Sequence, residues 1–169
     1  YGTTDYREPA FEILQENGSR ISDFVYESHK IYDGKPELQG LPAVYVEEKE
    51  EAQTLEIILR DALTGAKMTL YYTIMRDFPV ITRSMNLEND GDQSFDLTRA
   101  MSACLDLPDK DYEWIQLSGA WAREREIKTR KLEQGIQSVG SLRGNSSHNH
   151  NPFIALKRQS ADEFQGDVI

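Results

Sequence analysis

Gln53-Thr54-Leu55-Glu56-Ile57-Ile58-Leu59-Arg60-Asp61, then Thr64-Gly65, then Lys67-Met68-Thr69-Leu70-Tyr71-Tyr72-Thr73-Ile74-Met75-Arg76, is the stretch that decides the fold class. Leu55, Ile57 and Leu59 fall on one side of an extended chain, with Thr54, Glu56 and Arg60 on the other. Met68, Leu70, Tyr72 and Ile74 repeat the period of two on the way back. Alternation of this kind belongs to half-covered strands, and two such runs around a Gly-containing turn read as an antiparallel pair.

Working outward, the same pattern recurs. Ala10–Glu16 is a short apolar run ending at Asn17-Gly18, a hairpin signal, and Arg20–Tyr32 resumes with β-branched and aromatic residues up to Asp33-Gly34. Gly40-Leu41-Pro42 punctuates the chain before a further short run, Ala43–Glu47. Val80–Leu87, Phe95–Leu107 and Tyr112–Leu117 read as strands, with Arg99 interrupting an apolar face as a paired charge or a strand end. Trp121–Glu133, with its Arg123-Glu124-Arg125-Glu126 run, fits a helix or a long exposed strand equally well. Ile136–Leu142 and Phe153–Leu156 read as strands bracketing a polar loop. About ten strands with a turn signal every ten residues predict an all-β protein, a large antiparallel sandwich or barrel with at most one or two short helices. No βαβ alternation suggests a nucleotide-binding fold.

Composition narrows the function classes. With 19 basic against 29 acidic residues the net charge is −10, which disfavours nucleic-acid backbones and anionic membranes as partners. No apolar run reaches membrane-spanning length and no signal-like segment is present, so a cytoplasmic location is expected. Both ends, Tyr1 and Ile169, read as cut from a longer chain. The single cysteine, Cys104, lies between apolar neighbours and is expected to be a buried thiol. Asn17-Gly18-Ser19 and Asn145-Ser146-Ser147 match the glycosylation pattern by chance.

The richest polar segment is Arg143-Gly144-Asn145-Ser146-Ser147-His148-Asn149-His150-Asn151-Pro152-Phe153, which holds two of the three histidines. His148-x-His150 would need a third ligand to hold a metal, and none is suggested, so no metal and no cofactor is expected. The acids Asp106, Asp109 and Asp111, and the Glu47–Glu51 run, read as turn and solvated charges rather than a catalytic pair. Asp5-Tyr6-Arg7-Glu8-Pro9 reads as an internal ion pair on a surface strand. Trp114 and Trp121 are core or interface anchors before they are sugar platforms.

Several blocks, in order, carry a family resemblance: Asp5-Tyr6-Arg7-Glu8-Pro9-Ala10, Gly34-Lys35-Pro36 with Leu38, Gly40-Leu41-Pro42-Ala43, Thr54-Leu55-Glu56-Ile57 and Ile81-Thr82-Arg83-Ser84. They continue through Asp106-Leu107-Pro108-Asp109 and Gly119-Ala120-Trp121-Ala122-Arg123-Glu124. The last is Arg143-Gly144-x-Ser146-Ser147-His148-x-x-Asn151-Pro152-Phe153. In these the chain resembles the amino-terminal β-sandwich domain of the family 36 glycoside hydrolases, the bacterial α-galactosidases. The resemblance implies a β-supersandwich of the galactose-mutarotase-like type, with residues 1–169 a fragment of that single domain. It also implies a (β/α)8 catalytic barrel and a carboxy-terminal β domain outside this chain, with both catalytic aspartates of a retaining mechanism on the barrel. No residue here is then catalytic.

What the resemblance implies for partners is the chain's own barrel, a homo-oligomer, and galacto-oligosaccharides of the melibiose or raffinose type in the full enzyme. Arg143, Ser147, His148 and Asn151 are expected to buttress the loop or a domain contact, each of Arg143, His148 and Asn151 with hydrogen-bond partners. Trp121 and Phe153 are the candidate barrel contacts, part of an exposed apolar patch. Two other functions stand beside the assembly role: a carbohydrate-binding module using the tryptophans and the Asn/His loop, and a sugar mutarotase needing a His and a Glu in one cleft.

Overall fold

The computed structural model describes residues 9–40, 43–108, 111–144 and 147–169. Among them are nine strands and one 3-10 turn: β1 (Phe11–Gln15), β2 (Phe24–Asp33), β3 (Ala52–Asp61), β4 (Ala66–Met75), β5 (Ile81–Asn89), β6 (Phe95–Ala100), β7 (Tyr112–Ala120), β8 (Arg123–Lys131) and β9 (His150–Arg158), with the turn at Lys49–Glu51. All strand pairings are antiparallel. The all-β class read from the sequence is the class observed. The chain divides into two compact units, Tyr1–Leu105 and Asp106–Ile169.

In the first unit, β2-β3-β4-β5 form a four-stranded meander and β1-β6 a separate two-stranded ribbon. The period-two stretch supplies the centre of the meander, with Leu55 opposite Tyr72, Ile57 opposite Leu70 and Thr54 opposite Thr73. Its polar side is covered as well as its apolar side, where Ala66 and Met68 are buried. Thr54, Thr73 and Thr69 are buried, and so is Glu56, whereas Leu55, Ile57 and Leu70 are only half-buried. The Thr54 hydroxyl donates to the Gly34 carbonyl at 2.6 Å and lies 2.7 Å from the Thr73 hydroxyl, so the Asp33-Gly34 turn is tied down onto that side. Thr54→Val should therefore lower the unfolding free energy by about 1–3 kcal/mol, the cost of leaving a buried acceptor unmade. Urea denaturation would show it, and an unchanged midpoint would mean that Gly34 is not held this way.

Glu56 accepts a 3.0 Å ion pair from Lys30 and a 3.4 Å hydrogen bond from the Tyr32 hydroxyl. Burial first, then the Glu56 charge, push the Tyr32 phenol up to about 12. A folded-state pKa above the unfolded value gives stability that is whole below pH ~10 and is lost as pH rises toward ~12, because only the unfolded chain ionises there. Tyr32→Phe should flatten the alkaline decline in stability across that window. Equal slopes for the two proteins in pH-dependent melts would refute the coupling.

The second unit is the three-stranded sheet β8-β7-β9. Tyr112 and Trp114 on β7 are its buried aromatic residues, and the Arg130 guanidinium of β8 covers the Trp114 ring at 4.6 Å. The outer edge of β9 is closed by the last residues: Leu156 and Ile169 exchange backbone hydrogen bonds of 2.9 and 2.8 Å. All nine residues of β8 are exposed.

Several sequence readings need correction. The turn at Asn17-Gly18 forms, with the Gly18 N–H donating to the Gln15 carbonyl at 2.9 Å, but it joins no hairpin, since β1 pairs with β6 and β2 with β3. Turn chemistry sets a local reversal and not the partner. Ala43–Glu47 and Ile136–Leu142 are irregular rather than strands, and β6 stops at Ala100 instead of continuing to Leu107. Arg99 stands one residue before that strand end. Trp121–Glu133 resolves into a tight turn and strand β8. Cys104 is exposed, not buried, because it follows the end of β6 instead of lying within it. The reading of Asp5–Glu8 as an ion pair lies outside the described residues.

Candidate functional site

Two blocks that the sequence singled out separately, Gly119–Glu124 and the loop ending at Phe153, meet at one end of the second unit. Gly119-Ala120 closes β7, Trp121-Ala122 makes the turn, and Arg123 opens β8, with Ala120 opposite Arg123 and a bulge between Ser118 and Ala120. Gly119 is required there. A Cβ on it would lie 2.1 Å from the Arg123 carbonyl oxygen. Ala122 (φ 63°) and Arg125 (φ 59°) both take left-handed backbone, which costs a non-glycine residue on the order of 1 kcal/mol each.

Glu124 offsets part of that strain. Its Oε1 accepts the Ala122 N–H at 2.7 Å. The carboxyl is held below the ordinary glutamate range, first by its own backbone N–H, then by that of Ala122, with a smaller contribution from the charge of His148. The histidine loop thus reaches the hairpin. The adjoining residues reinforce the contact: the Gly119 N–H donates to the Asn149 carbonyl at 3.1 Å, and Ser118 pairs with His150 in the β7–β9 register. A pocket of about 390 Å3 lies against this junction, lined by Ser118, Arg123, Glu126, Lys128, Asn149 and His150 among others.

Ser147 turns the chain into β9, its Oγ accepting the N–H groups of Asn149 and His150 at 3.3 Å each. Arg143 is exposed, and its backbone N–H donates to the Ser141 Oγ at 3.3 Å. His148 is half-buried. Asn151 departs from expectation: its Oδ1 is buried and has no hydrogen-bond partner among the described residues. It borders a second pocket, about 500 Å3, lined by Val139, Ser141, His150, Pro152, Phe153 and Ile154 among others. Trp121 is 84% exposed and Phe153 45%, whereas Trp114 is buried with its indole N–H on the Gln116 Oε1 at 3.0 Å.

Among the described residues no group of three or more His, Cys, Asp or Glu is placed to hold a metal ion, and no helix is long and apolar enough to cross a membrane. In the first unit a pocket of about 670 Å3 is lined by Gly34–Leu38, Tyr45 and Lys49 among others, so another block carrying the resemblance shapes a groove. Sequence reasoning missed the hairpin-capping role of Glu124. The signal was the spacing Trp-x-x-Glu after a glycine, legible only once the turn is known to sit at Trp121-Ala122.

Known proteins resemble this chain in sequence and in fold. The α-galactosidase AgaA of Geobacillus stearothermophilus is 54% identical over 168 residues, which is 99% of this chain and 23% of that protein. The α-galactosidase Mel36A of Lactobacillus acidophilus is 42% identical over 99% of this chain and 23% of its own length. The crystal structure of AgaA superposes with a TM-score of 0.94, covering 99% of this chain and 23% of that one. The galactosidase domain of the α-galactosidase–sucrose kinase AgaSK gives 0.86 at 38% identity, covering 95% and 22%. The chain therefore spans under a quarter of the curated relatives it matches. The glycosyl hydrolase family 36 N-terminal domain matches residues 1–169, and the chain belongs to that family.

Proposed function

We propose that this chain is a non-catalytic part of the amino-terminal β-sandwich domain of an α-galactosidase. In this reading the parent protein releases terminal α-galactose from oligosaccharides of the melibiose or raffinose type. The observation that carries it is the 54% identity with AgaA over 99% of this chain; substituted variants of AgaA have been crystallised with raffinose and with stachyose. Hydrolysis proceeds with retention on a barrel outside residues 1–169, and the domain supports that barrel and the assembly of subunits. A cytoplasmic site of action suits the lone exposed thiol of Cys104.

The test uses the parent protein and the 169-residue chain side by side with a nitrophenyl α-galactoside. The parent should release nitrophenol and the short chain should not. Proton NMR of the first galactose formed should show the α anomer. A β anomer would remove the retaining mechanism, and a parent inactive on α-galactosides would remove the reading altogether.

The exposure of Trp121 also favours a second reading, a sugar-binding module with the indole as stacking platform. Calorimetric titration with galactose and melibiose separates the two: millimolar or tighter binding to the short chain supports the module, and absence of heat supports the assembly role.

A further inference from the structure

The chain holds one asparagine followed by glycine, Asn17-Gly18, and the structure puts it in the open. The pair forms the turn that leaves β1, with both residues exposed and Gly18 in left-handed backbone at φ 81°. A Cβ at Gly18 would meet nothing within 4 Å. The Gly18 nitrogen therefore has no side chain of its own and no crowded neighbour to shield it. The Asn17 Oδ1 accepts the Ser19 N–H at 2.9 Å, a contact that draws electrons away from the carboxamide carbon. The Gly18 N–H donates to the Gln15 carbonyl, and the Gln15 N–H to the Ser19 carbonyl, each at 2.9 Å.

We propose that Asn17 is a site of spontaneous modification, where the Gly18 backbone nitrogen attacks the side-chain carboxamide carbon and the asparagine becomes aspartate and isoaspartate. The bond from that nitrogen to Cγ forms as the Cγ–Nδ2 bond breaks, and the Gly18 amide proton leaves with the ammonia. Water then opens the cyclic succinimide at either carbonyl. One opening gives aspartate, and the other gives isoaspartate, whose backbone runs through the former side chain. The chemistry is independent of the α-galactosidase reading. The other described asparagines are held away from it. Pro152 has no N–H to give up, so Asn151 cannot close the ring in this way. Asn86 and Asn89 lie in strand β5, and the His150 N–H that follows Asn149 is held by the Ser147 Oγ at 3.3 Å. At Asn17 the hydrogen bond from Gly18 to Gln15 must open before the nitrogen can turn, so the turn slows the reaction without stopping it. An exposed turn held by few hydrogen bonds opens at low cost. Isoaspartate lengthens the backbone between Gln15 and Ser19. It should loosen the end of β1, where Gln15 pairs with Phe95 and Glu16 accepts the Ser94 hydroxyl at 2.6 Å.

The experiment ages the full-length parent in mildly alkaline buffer and maps its peptides by mass spectrometry, with electron-transfer fragmentation to tell isoaspartate from aspartate. Among the asparagines of residues 1–169, Asn17 should convert first, with isoaspartate among its products. Faster conversion at another asparagine, an unchanged Asn17, or aspartate alone would overturn the proposal. A synthetic peptide of residues 11–22 in the same buffer supplies the rate without the turn. It should convert on the order of tenfold faster than the folded protein, the equivalent of one or two net hydrogen bonds. A folded protein that converts as fast as the peptide would remove the gating by the Gly18–Gln15 bond. Amide hydrogen exchange at Gln15 should quicken in the aged parent and not in an Asn17→Gln parent aged alongside. Unchanged exchange in the aged parent would sink the loosening of β1.

Discussion

Gly119→Ala should cost the second unit about 3 kcal/mol of stability, the upper end of what an added methyl group does where nothing can yield. The added Cβ would meet the Arg123 carbonyl oxygen at 2.1 Å, with the Arg123 carbonyl carbon and the Glu124 Cα both at 3.1 Å. All three are backbone atoms of the facing strand, so relief requires the hairpin itself to open. Opening it would also remove the Glu124–Ala122 cap and the Gly119–Asn149 hydrogen bond that ties the histidine loop down. The control is Gly140→Ala. Nothing lies within 4 Å of that position, and the change should be neutral or stabilising by up to about 1 kcal/mol. Urea denaturation of both variants checks the pair. Equal midpoints would mean that the bulged register at Ser118–Ala120 is not the native one.

Trp121→Ala carries the second large effect, and it follows from the proposed assembly role. Trp121 stands at the tip of a turn whose left-handed Ala122 is held by Glu124, with 84% of its surface exposed. A rigid, presented tryptophan is the residue type that most often dominates a docking interface, at about 2 kcal/mol or more on truncation. In the full-length parent the variant should lose that much cohesion between this region and the rest of the polypeptide, seen as a lowered midpoint for its unfolding and faster proteolysis of the connection. The isolated hairpin owes nothing to the indole, so the fold of the second unit should be unaffected. A parent with an unchanged unfolding profile would assign Trp121 to solvent or to ligand instead.

Much of the sheet was legible because one physical signal, alternation, was strong where strands are paired on both sides. β3 and β4 were bounded to within a residue from Leu55, Ile57, Leu59 and their counterparts. The signal failed where pairing is long-range or one-sided. β8 has charges on both faces because both are exposed, so no period could choose between helix and strand. Ile136–Leu142 has strand-like residues but no partner among the described strands, and strand character without a ladder is not a strand. The loop at 143–153 could be named from its residue types, yet its hydrogen bond from Asn149 to Gly119 depends on register between β7 and β9. Asn151 shows the limit most clearly. That it matters could be guessed from the motif, but that its oxygen has no partner among the described residues is visible only in three dimensions.

The pairing of β1 with β6 has a consequence for how the chain reaches its native state. The meander β2–β5 is built from neighbours in sequence and can zip up hairpin by hairpin. The ribbon must instead bring together groups such as Thr98 and Glu12, which are 86 residues apart. The entropy of closing so long a loop is met before any contact rewards it, which makes distant pairings late and slow. With the meander already formed between them, the effective span is much shorter. The order of events is therefore written into the topology: local sheet first, then the ribbon, with Phe11 meeting Phe24 edge to face at 5.1 Å when it closes.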